Sequence, residues 1–198
     1  MQMNENNFLH DALSKGAILG FIMLVSNIFE QAVLLYKGTL GWVGVMGVEI
    51  IAVAILYVWL IYRFTKHYSL SVLASQQGVK YFTYGSGLGY AVVVSVLSGI
   101  IVAVGAYLFR HCVVGYDNYI AGIVQTYKNL LSASNMPASL SNTYNQMFAQ
   151  IREQAEPSML MSVFSGISNY FISGTLVGLI VAGLVKRSPV MFDNNDAE

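Results

Sequence analysis

Along this chain the apolar residues neither alternate nor form a stripe; they fill four long runs. The first covers about residues 16–36 (GAILGFIMLVSNIFEQAVLLY) and the second about 41–62 (GWVGVMGVEIIAVAILYVWLIY). The third covers about 87–109 (GLGYAVVVSVLSGIIVAVGAYLF) and the fourth about 159–185 (MLMSVFSGISNYFISGTLVGLIVAGLV). A helix needs about 20 largely apolar residues to cross roughly 30 Å of hydrocarbon. Each run is apolar all round, as lipid rather than water demands of a helix surface. The pattern predicts an all-α integral membrane bundle of four transmembrane helices, a single membrane domain over residues 1–198.

The polar stretches between the runs set the expected orientation. The segment before the first run, MQMNENNFLHDALSK, is polar, and no small-residue cleavage pattern follows it. The first run therefore reads as a retained helix rather than a signal peptide. Lys15, Arg63, Lys66, Lys80, Lys186 and Arg187 cluster at one set of helix ends; Lys37, Arg110, Lys128 and Arg152 are dispersed at the other. The clustered side reads as cytoplasmic, which places both termini there. Trp59, Tyr62, Tyr68, Tyr81 and Tyr84 fit an interfacial belt on that side. The long loop, 110–157, carries two helical patterns: Ile120, Val124, Tyr127 and Leu131, then Leu140, Tyr144, Met147, Phe148 and Ile151. Asn135, Met136 and Pro137 separate them, predicting an extracytoplasmic helical hairpin on the outer face of the bundle, either a spacer or a binding module.

Composition sharpens this picture and excludes several functions. Apolar residues make up 56% of the chain and charged ones 10%, too few charges to cover a soluble surface. Ten basic residues balance ten acidic ones, so no net field draws nucleic acid. Cys112 is the single cysteine, and His10, His67 and His111 lack metal-ligand spacing, so neither a metal nor a cofactor is expected. No HExxH, GxSxG or phosphate-loop signature occurs; GSGLG at 85–89 opens a membrane helix and has no Lys-Ser/Thr after it. The expectation is a protein that is not an enzyme.

Lipid tails give helices no hydrophobic reason to associate, so small residues that let backbones approach mark the interfaces. Gly16 with Gly20, Gly85 with Gly89, and Gly174 with Gly178 form GxxxG pairs, and Gly166 joins the last of these on one face. Gly41, Gly44 and Gly47 thin one side of the second helix. These are the expected packing positions of a tight bundle.

Two carboxylates lie within the spans, where an isolated charge costs roughly 2.5–3.5 kcal/mol. At 1.5 Å per residue Glu30 lies about 9 Å and Glu49 about 12 Å below the outer boundary, with Asn27 and Asn169 at similar depth. Asn27, Glu30, Gln31, Glu49 and Asn169 thus form a candidate intramembrane polar layer. Three roles compete for it. The carboxyls are protonated interhelical glue, or they reach Lys37 or Arg110, or they form a proton or cation site.

The chain also resembles a known family. A basic segment followed by YFTYGSGLGY at 81–90, and a last helix ending GLIVAGLVKRSPV at 178–190, carry the likeness, with the four spans and the long loop. The sequence is similar to the uncharacterised four-helix inner-membrane proteins of Bacteroidota (domain of unknown function 4199). The resemblance implies an inner-membrane location and, as a partner class, membrane-bound glycosyltransferases; it brings no catalytic residues. The expected function is an accessory or scaffold subunit working with lipid, with other copies of itself, or with another membrane protein. The alternative is a small proton- or cation-coupled transporter or channel using the carboxylate layer. A lipid-directed enzyme is a third class.

Overall fold

In a bilayer every backbone N–H must find its acceptor within its own helix, and the apolar runs comply. The computed structural model describes residues 5–36, 38–75, 81–133, 138–153 and 156–187. Its helices are α1 (Glu5–Tyr36), α2 (Leu40–Ser75), α3 (Tyr84–Leu108), α4 (Tyr116–Ala133), α5 (Ala138–Glu153) and α6 (Met159–Val185). Four are long and apolar enough to cross a membrane: α1, α2, α3 with the turn that follows it, and α6. Lys37, Lys80, the Asn135–Met136–Pro137 break and the final Ser188–Pro189–Val190 lie outside the described residues.

Helix α3 is the centre of the bundle. It packs most extensively on α6 and next on α1, while α2 lies against α1, α6 and α3. Small residues set these contacts. A Cβ added at Gly166 would collide with Ala103, and one at Gly174 with Ser95, so α6 and α3 approach almost backbone to backbone. A Cβ at Gly16 would lie 2.7 Å from Leu97 Cβ, one at Gly20 2.9 Å from Ile101 Cβ, and one at Gly178 3.0 Å from Leu88. Gly85 and Gly89, expected to pack, instead have nothing within 4 Å; in that run Gly87 faces Phe82 and Ala182. At about 3.6 residues per turn, Gly85 and Gly89, each two residues from Gly87, fall on the opposite side of α3 from it, a phase that GxxxG counting does not supply. Gly41, Gly44 and Gly47 are likewise open.

Two helices outrun their apolar cores. Helix α1 begins at Glu5 rather than near Gly16, and α2 continues past Tyr62 to Ser75. Polar residues end an apolar run without ending a helix, so α2 carries Arg63 and Lys66 beyond the apolar run, with their charged groups over the Trp59 and Tyr62 rings. These extensions build a closed aromatic cluster at the terminal end, where α1 starts and α6 finishes. Tyr68 stacks on Tyr90 with ring centroids 4.3 Å apart, and Phe8 and Phe82 meet them edge-on. Tyr90 is fully buried and donates its hydroxyl to Asp11 at 2.5 Å. Phe82 and Arg187 exchange backbone hydrogen bonds of 3.1 and 3.0 Å, tying the approach to α3 to the end of α6. Thr83 caps α3 by accepting from Ser86 N–H.

At the other, loop end, α3 widens into a π-helical turn, Phe109–Val114, closed by Gly115 at φ +82°. That left-handed backbone is open to glycine at little cost. Helix α4 then docks on α1: Thr126 donates to the Leu34 carbonyl at 2.6 Å, and Gly122 sits against Leu35. Val124 is fully buried there, whereas Tyr127 is exposed. Helix α5 meets α4 where Lys128 lies over the buried Phe148 ring.

Candidate intramembrane binding site

Between Leu40 and Leu56 no residue of α2 is buried, whereas Tyr57, Leu60, Ile61, Phe64, Thr65, Tyr68 and Ser69 all are. The loop-end half of the bundle is therefore held by α1, α3 and α6, and an open cavity of about 410 Å³ lies among them. That volume falls within the usual range of small-molecule sites, about 300–1,000 Å³. Asn27, Glu30, Gln31 and Leu34 form its α1 wall; Val102, Ala103, Ala106 and Arg110 its α3 wall; Ser162, Ser165, Gly166, Asn169 and Tyr170 its α6 wall. Tyr119 of α4 completes the lining.

Four of the five polar residues singled out from the sequence thus share one cavity: Asn27, Glu30, Gln31 and Asn169. Glu49 does not line it. Its carboxylate accepts from Ser26 Oγ at 2.5 Å, one turn before Glu30, while its other oxygen is buried without a partner. Glu30 and Glu49 still feel one another's charge but share no hydrogen bond. Position along α1 separates them. Ser26 and Glu30, four residues apart, share a face, but Ser26 bonds Glu49 of α2 while Glu30, one turn nearer the loop end, lines the cavity.

The site's hydrogen-bonding capacity is incompletely used. Gln31 donates its amide to Asn27 Oδ1 at 2.5 Å, leaving Gln31 Oε1 buried and without a partner. No described side chain hydrogen-bonds the Glu30 carboxylate. Arg110 donates Nε–H to the Ala106 carbonyl at 3.1 Å, and its guanidinium lies 5.8 Å from the Tyr119 ring centroid. Burial lifts the Tyr119 phenol above its usual value, so its hydroxyl stays protonated and able to donate. Glu30 and Arg110 form no ion pair, whereas His111 Nε2 lies 2.9 Å from a Glu156 carboxylate oxygen. Tyr170 bounds the cavity and meets Tyr57 edge-on, and Tyr57 in turn donates to Ser95 Oγ at 2.9 Å in the closed core.

Sequence reasoning did not place Ser26, Ser162, Ser165, Tyr119 and Tyr170 in the polar layer. One signal was available: Ser162, Ser165 and Asn169 recur at helical spacing, as do Asn27, Glu30 and Gln31, giving two polar stripes at matching depth. Asp11, bonded by a buried tyrosine, gave no such signal because it stood in a segment read as polar and outside the span. His111 is more than a helix-end residue: its ring stacks between Tyr107 and Tyr116, with centroids 3.8 and 5.2 Å away. Among the described residues no group of three His, Cys, Asp or Glu side chains comes together for a metal. Cys112 is free and exposed.

Compared with known proteins, residues 15–187 match the profile of a family described as a protein of unknown function (DUF4199). No curated protein and no solved structure matches the chain.

Proposed function

The chain belongs to that family, and from its own geometry we propose that it is a non-enzymatic, multi-pass membrane protein that binds a small polar molecule in the cavity between α1, α3 and α6. The observation that carries this reading is the coincidence of open volume with polar groups lacking protein partners. Buried polar groups are ordinarily satisfied within the protein, and a carboxylate inside a span is expensive. Gln31 Oε1 is buried without a partner and Glu30 is hydrogen-bonded by no described side chain, and both line this open cavity.

In this reading the cavity faces the extracytoplasmic side of a bacterial inner membrane of the Bacteroidota type, with both termini in the cytoplasm and the α4–α5 hairpin over the cavity mouth. The basic cluster of Lys15, Arg63, Lys66, Lys186 and Arg187 at the terminal end supports that orientation. Glu30 takes the role of the carboxylate exposed to solute, and Glu49 that of a structural anchor between α1 and α2. Binding of this kind is the first step of a small carrier. The test is a thermal-shift screen of small polar metabolites against the detergent-solubilised protein. At least one class is expected to raise Tm, with the shift lost in Glu30→Gln; a flat screen in both proteins ends the proposal.

An accessory role is the second reading, favoured by the loop-end half of α2. Gly41, Gly44 and Gly47 are open there, and Val45, Val48, Ile51 and Ile55 are exposed, as on a helix face that receives another membrane helix. A second copy of this chain or a membrane-bound glycosyltransferase is the partner class under that reading. Purification in mild detergent tests it: a stoichiometric partner supports the role and a monomer removes it.

A further inference from the structure

The charges in the cavity carry more than the fact of binding. Helix α1 presents two acceptors to the cavity, Gln31 Oε1, buried without a partner, and the Glu30 carboxylate, which no described side chain hydrogen-bonds. The π-helical turn after α3 contributes the Arg110 guanidinium, whose hydrogen bond among the described residues is through Nε, at the loop end of the same cavity. A structural pair of opposite charges in such a place closes on itself as a bidentate ion pair. These two stay apart with the open volume between them.

Resting on the binding reading above, we propose that the ligand is a zwitterion that bridges this gap. Its ammonium lies against Glu30 and Gln31, and its anionic group against Arg110. An ammonium has three donors and no acceptor, which matches the open acceptors of Glu30 and Gln31. A phosphate or carboxylate matches the fork of terminal guanidinium donors. Tyr119 supplies one further hydroxyl beside Arg110. Ligand charges that cancel overall also suit a site inside the span, where net charge is costly to desolvate. The neutral polar groups, Asn27, Ser162, Ser165 and Asn169, hydrogen-bond either end without choosing a sign.

This chemistry has two sources, the headgroup of an aminophospholipid and a free amino acid. The full chain in lipid nanodiscs separates them by isothermal titration. In discs of phosphatidylglycerol, glycerophosphoethanolamine or serine is expected to bind at least tenfold more tightly than ethanolamine, which is only cationic, or glycerophosphate, which is only anionic. Glu30→Gln and Arg110→Gln are each expected to abolish that advantage, with size-exclusion profiles confirming that both variants fold. If the natural source is the lipid, discs containing phosphatidylethanolamine weaken the titrated zwitterion at least tenfold by competition. If the source is a free solute, the two disc types give equal affinity; either result supports a zwitterion. A probe with charge of one sign that binds as tightly as the zwitterions, with dependence on Glu30, overturns the zwitterion and leaves the binding site standing. No binding of any probe in either disc, with no retained lipid by native mass spectrometry, overturns both.

Discussion

The two halves of this bundle use the same kinds of residue to opposite ends. At the terminal end, Asp11 of α1 accepts from Tyr90, whose ring stacks on Tyr68, with Phe8 edge-on to both and Phe82 edge-on to Tyr68. At the loop end, Glu30 lies within the same helix, has no hydrogen-bonding side chain, and faces open volume. The difference comes from α2, which buries seven residues between Tyr57 and Ser69 and none between Leu40 and Leu56. A carboxylate inside a membrane helix thus means little alone. Whether a neighbouring helix arrives to satisfy it decides between a structural bond and a site.

That contrast predicts a graded response to mutation. Tyr68→Ala, which removes the stacked ring from the closed half, is expected to cost the most, about 3–4 kcal/mol of stability. Thermal unfolding in detergent followed by tryptophan fluorescence measures it, and an unchanged Tm would remove the idea of a rigid terminal half. Gly174→Leu forces a side chain into Ser95 at the tightest α3–α6 crossing and is expected to cost about 2–3 kcal/mol. The same change at Gly85, which faces open space, is expected to stay within about 0.5 kcal/mol. Tyr90→Phe leaves Asp11 without its donor, and a loss of about 2 kcal/mol is expected from a hydrogen bond to a charged group. Glu30→Gln is expected to have the smallest effect on folding, within about 0.5 kcal/mol, because no protein bond is lost, while solute binding disappears. Equal destabilisation by Glu30→Gln and Tyr90→Phe would mean the two halves do not differ as described.

Much of the architecture was legible because hydropathy is read residue by residue. The four runs became α1, α2, α3 and α6, and the two patterns in the long loop became α4 and α5. Helix ends were not legible, since Arg63, Lys66 and Asp11 look like exits from the membrane yet continue α2 and α1 as helix. The two segments that carried the family resemblance turn out to touch. Phe82 bridges Arg187, Tyr84 donates to the Leu179 carbonyl at 3.1 Å, and Gly178 faces Leu88 and Ala91. Their distinctive sequences are those of one tightly fitted contact. Asn27, Glu30, Gln31 and Asn169 line one cavity, but spacing along one helix cannot give its rotation against another. Hence Glu49 looked equivalent to Glu30, and Gly85 equivalent to Gly16.

Water access decides between these two kinds of carboxylate most directly. With Cys112 replaced by serine, single cysteines are placed at Glu30 and Asn169 in the cavity and at Ser95 in the closed core. Each is then challenged in intact cells with a membrane-impermeant thiol reagent. Labelling at positions 30 and 169 but not at 95 is predicted. Protection at all three, in protein that labels fully once denatured, would contradict an open polar site at the loop end.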